Sequence, residues 1–175
     1  DFGGIGKGMA LDEAAAVLKA RGISSALLDF GGQVLAIGVP PEESGWLIDI
    51  ADPRDRSKRV LTLRVRDKSV STSSNSERFF ERDGVHYGHI LDPRTGAPLT
   101  RDDQVTVIAA RATDADAAST ALLVDPGLRE RAGKLMPGMT AMTLTPASGA
   151  TLECWADAPA LGLIVNREVA VHGCQ

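Results

Sequence analysis

Residues 69–96 read SVSTSSNSERFFERDGVHYGHILDPRTG, and the order of residue types in this stretch sets the reading of the whole chain. Residues 69–72 form a β-rich run that opens into the polar group Ser73, Ser74, Asn75 and Ser76. Beyond the aromatic pair Phe79 and Phe80, the dipeptide Asp83-Gly84 predicts a turn, and Val85 with the six residues after it predicts a second strand. That strand stops at Asp92-Pro93-Arg94-Thr95-Gly96, because proline has no N–H for a sheet ladder and glycine tolerates positive φ. His89 and Asp92 are thereby placed at the mouth of a strand-to-turn corner, beside Arg94 and a hydroxyl. Loop ends on a rigid scaffold are where binding groups tend to sit.

Working outward, the chain opens with Asp1-Phe2-Gly3-Gly4-Ile5-Gly6-Lys7-Gly8, a glycine-rich turn feeding a helix over residues 9–20. That helix has Asp12 and Glu13 early, Lys19 and Arg21 late, and Gly22 as its stop. Strands follow at residues 24–28 and 34–37 around Phe30-Gly31-Gly32, and at residues 45–50. The basic segment 54–68 alternates apolar and polar residues at a period close to two, which predicts a hairpin with one wet face. Its charge is read either as a solvated face or as long-range steering of an anionic nucleotide. Residues 104–110 predict an apolar strand, and Thr113 is then an N-cap candidate for a helix through Val124, with Asp114 and Asp116 in its first turn. A second helix over residues 128–135 ends at Pro137-Gly138, and residues 139–144 and 151–155 close a hairpin. Short, largely antiparallel strands alternating with three or four helices indicate an α+β fold, a single mixed domain over residues 1–175.

A length of 175 residues suits one domain with a sizeable core, and 43% hydrophobic with 24% charged residues is ordinary for a globular protein. The net charge of −4 argues against a general nucleic-acid binder. No apolar run approaches the roughly 20 residues that span a bilayer, and no signal-peptide pattern opens the chain. Cys154 sits in an apolar strand and reads as a buried thiol, Cys174 reads as part of a tail, and neither has metal-ligand spacing.

Three residue groups offer chemistry. Exposed amides at the glycine turn suit phosphate oxygens, although GIGKG lacks the Ser or Thr of a Walker A loop and the third glycine of GxGxxG, so a structural turn is the alternative. Asp116 and Thr120 lie four apart on a predicted helix, so both project from one face. Carboxylate plus hydroxyl is a hard oxygen pair that Mg²⁺ accepts; the alternative is that Asp116 complements the helix dipole and Thr120 packs. His89 offers an imidazole, the side chain whose ordinary pKa lies nearest neutrality, or else a structural strand-end histidine.

The ordered series DFGGIGKGMALD, LLDFGGQVLAIG, STSSNSERFF, HILDPRTG and DADAASTALLV resembles the ApbE family of FAD:protein FMN transferases, across almost the whole chain. The resemblance implies Mg²⁺-dependent cleavage of FAD, with FMN passing to a Thr or Ser hydroxyl of an acceptor protein and AMP released. It implies metal binding by Asp116, Thr120 and the Gly4 carbonyl, with Ser119 as a further contributor. It also implies His89 as base or positioner of the attacking oxygen, with His86 as a weaker candidate. Asp1 and Lys7 are expected to contact FAD, Thr72 and Ser73 to line its site, and Ile90 to pack on it. Asp29, Gln33 and Ser74 depart from the residues usual in the family, so no ligand is carried over from Asp29 or Gln33. Family members carry a further segment before DFGGIGKG that helps to build the flavin site, so a missing N-terminal segment is expected, with a second chain as an alternative source. An acceptor in a membrane redox complex and periplasmic or membrane-associated placement follow from the family's habits. Hydrolysis of FAD to FMN and AMP, and a non-catalytic FAD-binding module, are the competing functional readings. Finally, Ser148-Gly149-Ala150-Thr151 resembles the acceptor site that such enzymes modify, which raises self-modification at Thr151.

Overall fold

The computed structural model describes residues 2–75, 79–147 and 151–174, with His86 described by its backbone alone. A 3-10 turn, Phe2–Gly4, leads into helix α1 (Gly6–Ala20), and strands β1 (Ala26–Phe30), β2 (Gln33–Ile37), β3 (Trp46–Asp52), β4 (Asp55–Val65) and β5 (Ser69–Ser74) follow. A hairpin of β6 (Phe79–Arg82) and β7 (Val85–Gly88) precedes β8 (Gln104–Ala109), α2 (Ala112–Val124) and α3 (Arg129–Leu135). The chain closes with β9 (Thr140–Pro146), β10 (Leu152–Ala156), α4 (Ala158–Leu161), β11 (Ile164–Arg167) and β12 (Ala170–Gly173).

Seven strands form one sheet in the order β1-β2-β5-β8-β9-β10-β12, antiparallel throughout except for the β10–β12 pair. Alternation along the strands divides their side chains between two layers. Val105, Val107 and Ala109 of β8 face Ala115, Ala118 and Leu122 of α2, and Leu35 and Ile37 of β2 face Leu11 and Ala15 of α1. The opposite face, with Ala36, Val70, Ile108, Met142 and Leu144, packs on Ile48, Ile50, Leu61, Leu63 and Val65 of a second antiparallel sheet, β11-β4-β3. Every residue of β8 is buried because both of its faces are covered. The α+β class expected from the sequence is the one found, with four α-helices among the described residues and mostly antiparallel strands.

Several local expectations need correction. Helix α1 begins at Gly6 rather than after Gly8, so two of the glycines lie in its first turn. Gly8 is there because α1 meets α2 backbone to backbone: a Cβ on it would fall 2.3 Å from the Ala112 carbonyl oxygen. Thr113 does not cap α2, which starts at Ala112 behind Arg111, a cap position two residues earlier with no side-chain bond. The cap comes instead from α1, where the Asp12 carboxylate accepts from the Ala112 N–H (2.8 Å), the Thr113 N–H (3.0 Å) and the Thr113 hydroxyl (2.6 Å). Asp116 therefore stands beyond the first turn, and Asp114 is its acidic residue.

Residues 54–68 contain one long strand, not a hairpin of their own; β4 pairs with β3 on one side and β11 on the other. A register shift opposite Ile50 and Ala51 turns Val60 inward as well as Leu61, which breaks the period of two. The second central strand ends at Gly88, three residues earlier than expected, and leaves His89 in a bend. Cys174 is no tail residue: it follows β12 directly, its N–H donates to the Ala156 carbonyl (2.9 Å) and its Sγ accepts from Arg129 Nη1 (3.2 Å). Cys154 is buried, as expected. No helix among the described residues is long and apolar enough to cross a membrane.

Candidate functional site

The end of β5, the opening turn, the bend after β7 and one flank of α2 enclose a cleft of about 810 Å³. Small-molecule sites commonly measure roughly 300–1,000 Å³. Gly4, Lys7, Thr72, Ser73, His89, Ile90 and Thr120 all line it, so residues far apart in sequence and singled out there reach one space. Thr72 and Ser73, neighbours on a strand, point to opposite faces of the sheet. Thr72 meets the Thr106 hydroxyl (2.9 Å), Ser73 meets Ser119 (2.8 Å) and Thr120 (3.2 Å), and the cleft wraps round the strand end to touch both. Asp1, Ser148, Gly149, Ala150 and the His86 side chain lie outside the described residues. Thr151 is exposed and lines a different depression, with Arg54 and Glu168.

Asp116 lies behind this wall, with 1% of its surface exposed. A carboxylate so far from water needs compensation, and it comes from the opening segment: Lys7 Nζ donates to Oδ1 (2.8 Å) and the Gly8 N–H to Oδ2 (3.0 Å). Lys7 itself is 36% exposed and reaches the cleft, so the pair couples the buried acid to the open space. Around it, hydroxyls form a chain: Ser71 to Ser119 (3.2 Å), Ser119 to Ser73, and Ser73 to Thr120. Ser119 and Thr120 each donate back to the Asp116 carbonyl (3.0 and 3.3 Å), which holds their oxygens in place on the helix. The Gly4 backbone lies against Thr120, since a Cβ on Gly4 would stand 3.6 Å from Thr120 Oγ1.

These groups fit a divalent cation. Each Asp116 oxygen accepts a single bond, while an ionised carboxylate offers about four lone-pair sites. An ammonium already sits against Oδ1, so the position is electrostatically one for a cation. No group of three His, Cys, Asp or Glu that could hold a metal occurs among the described residues. An acid, a hydroxyl and a carbonyl are instead the hard oxygen donors that Mg²⁺ takes when phosphate oxygens and water complete its shell.

The histidine corner is tied to α2. Asp92 accepts from the Arg94 N–H (2.9 Å), Nε (3.0 Å) and Nη2 (2.8 Å), and Arg94 Nη1 reaches Asp125 at the helix end (3.0 Å). The Arg94 side chain, and then its backbone N–H, hold the Asp92 carboxyl below the usual carboxylate range. The Thr95 and Gly96 N–H groups both donate to the Asp92 carbonyl, and Gly96 takes φ 71°, as the sequence predicts.

Sequence reasoning missed Arg56 and Gln104, which also line the cleft. Arg56 was hidden among basic residues of a segment whose alternation looked like a wet face, and only the fold brings its guanidinium to the Gly31-Gly32 turn, with Nη2 3.8 Å from where a Cβ on Gly32 would stand. Gln104 had no signal of its own; its amide donates to the Ala51 carbonyl (3.0 Å) and joins the two sheets at the cleft floor.

The family model described as the ApbE family matches residues 1–142. The chain belongs to the ApbE family. This ApbE chain is 40% identical over 158 residues to an FAD:protein FMN transferase of Treponema pallidum, covering 83% of this chain and 43% of that protein. An enzyme of the same name from Rhodobacter capsulatus is 39% identical over 71% of this chain and 24% of its own length. Among solved structures, the apo flavinyl transferase ApbE of Pseudomonas stutzeri superimposes with a TM-score of 0.76 and 32% identity, over 95% of this chain and 51% of that one. The ApbE protein of Thermotoga maritima gives 0.72 and 35% over 87% and 50%. The chain thus spans about half the length of these structures, and less of the curated relatives.

Proposed function

We propose that the full protein transfers FMN from FAD to a Thr or Ser hydroxyl of an acceptor protein, with a divalent cation, and releases AMP. The observation that carries this reading is the single cleft, in which the glycine turn, the end of β5, the histidine bend and the Asp116–Thr120 flank of α2 meet. In this reading the acceptor oxygen forms a bond to the FMN phosphorus as the bond from that phosphorus to the bridging oxygen breaks. The hydroxyl proton passes to His89, and AMP leaves with the bridging oxygen. A hydroxyl is a weak nucleophile, so an imidazole at the cleft wall serves as base or positioner. Lys7 and Arg56 supply positive charge for the diphosphate, Thr72 and Ser73 hydrogen-bond the bound dinucleotide, and Ile90 offers an apolar surface to it. Asp1 is assigned to FAD contact by resemblance alone.

Asp116, Thr120 and the Gly4 carbonyl would hold Mg²⁺. When bound, the ion neutralises the charge spread over the phosphate oxygens. The family resemblance extends the proposal to an acceptor in a membrane redox complex and to a periplasmic or membrane-associated site of action. It also extends to a flavin site completed by the rest of the protein or by a second chain.

The test combines the full-length gene product, FAD, Mg²⁺ and a candidate acceptor, read by intact mass of the acceptor and chromatography of the nucleotides. One added FMN mass with matching AMP supports transfer. AMP and FMN without acceptor modification would replace transfer by FAD hydrolysis, and bound flavin with no turnover would replace both by a binding module.

A further inference from the structure

We propose that Asn75 and Gly88 form a lock that positions His89 in the cleft; its mechanistic consequence rests on the transferase reading above. Asn75 follows β5 and is 2% exposed. Its Nδ2 donates to the Leu99 carbonyl at 2.6 Å, and that same carbonyl accepts the Gly88 N–H at 3.0 Å. The Leu99 N–H in turn donates to the Ile90 carbonyl at 2.9 Å. The residues on either side of His89 are therefore both fastened to Leu99, and Asn75 fastens Leu99 to the end of the strand that carries Thr72 and Ser73.

The second half of the lock is steric. A Cβ on Gly88 would fall 1.4 Å from Asn75 Oδ1 and 2.1 Å from its Cγ, so the carboxamide occupies the space a side chain would need. Asn75 Oδ1 is buried and has no conventional hydrogen-bond partner. A buried acceptor in that state asks for an explanation, and here the oxygen is pressed against the Gly88 Cα, in space that only a glycine hydrogen leaves open. The Asn75 carboxamide in this position thus requires glycine at 88. The lock fixes the backbone on the N-terminal side of His89, and the Ile90–Leu99 bond fixes the other side. Asn75 touches no reacting group in this scheme; it is a positioning residue, acting through His89.

The test uses the full-length gene product. Asn75→Ala and Asn75→Asp are compared with wild type by the imidazole ¹³Cε1–¹Hε1 signal of His89, assigned with His89→Gln, with His172 as an internal reference. His172 stacks on Trp155 at 4.7 Å and lies on β12, an edge strand with three strands between it and β5. The expected result is a moved or broadened His89 signal in both variants with the His172 signal unchanged. FMN transfer should lose about 10- to 100-fold in kcat, the scale of a small misplacement of a catalytic group, with KM for FAD within about twofold. A folded Asn75→Ala protein with an unmoved His89 signal, or one that loses FAD affinity and keeps kcat, overturns the proposal. If Asn75→Ala does not fold, Gly88→Ala decides: it must shift the His89 signal, and an unmoved signal overturns the proposal equally. Because the spectroscopic result needs no turnover, a wild-type protein without transferase activity would reject the proposed function and still decide the lock.

Discussion

Two glycines in the first turn of α1 should respond to the same substitution with opposite signs. At Gly6 a Cβ meets nothing within 4 Å, and the backbone is helical. Gly6→Ala therefore gains helix propensity, up to about 1 kcal/mol. At Gly8 the added carbon falls 2.3 Å from the Ala112 carbonyl oxygen and 2.6 Å from Thr113 Cα, both backbone atoms that cannot rotate away. Helices α1 and α2 must separate, an overpacking cost of about 1–3 kcal/mol. Separation also stretches the Gly8 N–H bond to Asp116, a bond to a charged group worth about 1.5–3 kcal/mol. Setting the propensity gain against these costs leaves Gly8→Ala destabilised by about 2–5 kcal/mol. For a chain of this size each kcal/mol moves Tm by about 2–4 °C. Calorimetry should then show Gly8→Ala lower by about 4–20 °C and Gly6→Ala unchanged or higher by up to about 4 °C. Equal shifts in the two variants, or an unaffected Gly8→Ala, would refute the close helix crossing on which the Asp116 environment depends.

Other outcomes follow from the same geometry. Burial pushes the Cys154 thiol up to about 11, with a smaller push from Cys174, so iodoacetamide at pH 8 should label Cys174 alone in the native protein and both thiols after denaturation. The Asp92 carboxyl titrates below its ordinary value, so what it adds to the order of the histidine corner is complete above that value and is lost as pH falls through the lower, folded one. Arg94→Ala removes the largest cause of the shift and should raise the Asp92 carboxyl back toward the ordinary carboxylate range, read by carboxyl ¹³C titration. Arg56→Ala should raise KM for FAD by about fivefold, the equivalent of about 1 kcal/mol for one surface charge. Salt should narrow that gap, because exposed charges are screened.

How much of this was legible in the sequence depends on whether the determining contact was local. The turn at Asp83-Gly84, with φ of 53° and 74°, and the stop at Gly96 are written in adjacent residues and read correctly. The start of α2 was misread because its cap is Asp12, about 100 positions earlier, and Thr113 is a donor to that carboxylate, through its N–H and its hydroxyl, rather than the cap. The C-terminal strands were missed for a similar reason: β12 is four residues long and is defined by its parallel pairing with β10. At the candidate site the motif residues announced themselves, but Arg56 and Asn75 did not. One belongs to a run of like charges, and the other matters through Leu99 and Gly88.

In the proposed transferase a divalent cation at Asp116, which pairs with Lys7 and sits behind the Ser73–Thr120 wall, would join FAD to this cleft. Titration of flavin fluorescence with the full-length gene product, with and without Mg²⁺, tests it directly in wild type and in Asp116→Asn, which keeps the shape and removes the charge. Mg²⁺ should tighten FAD binding to the wild type by about tenfold or more, some 1.4 kcal/mol, and leave the variant's affinity unchanged. A variant that responds to Mg²⁺ as the wild type does would contradict it.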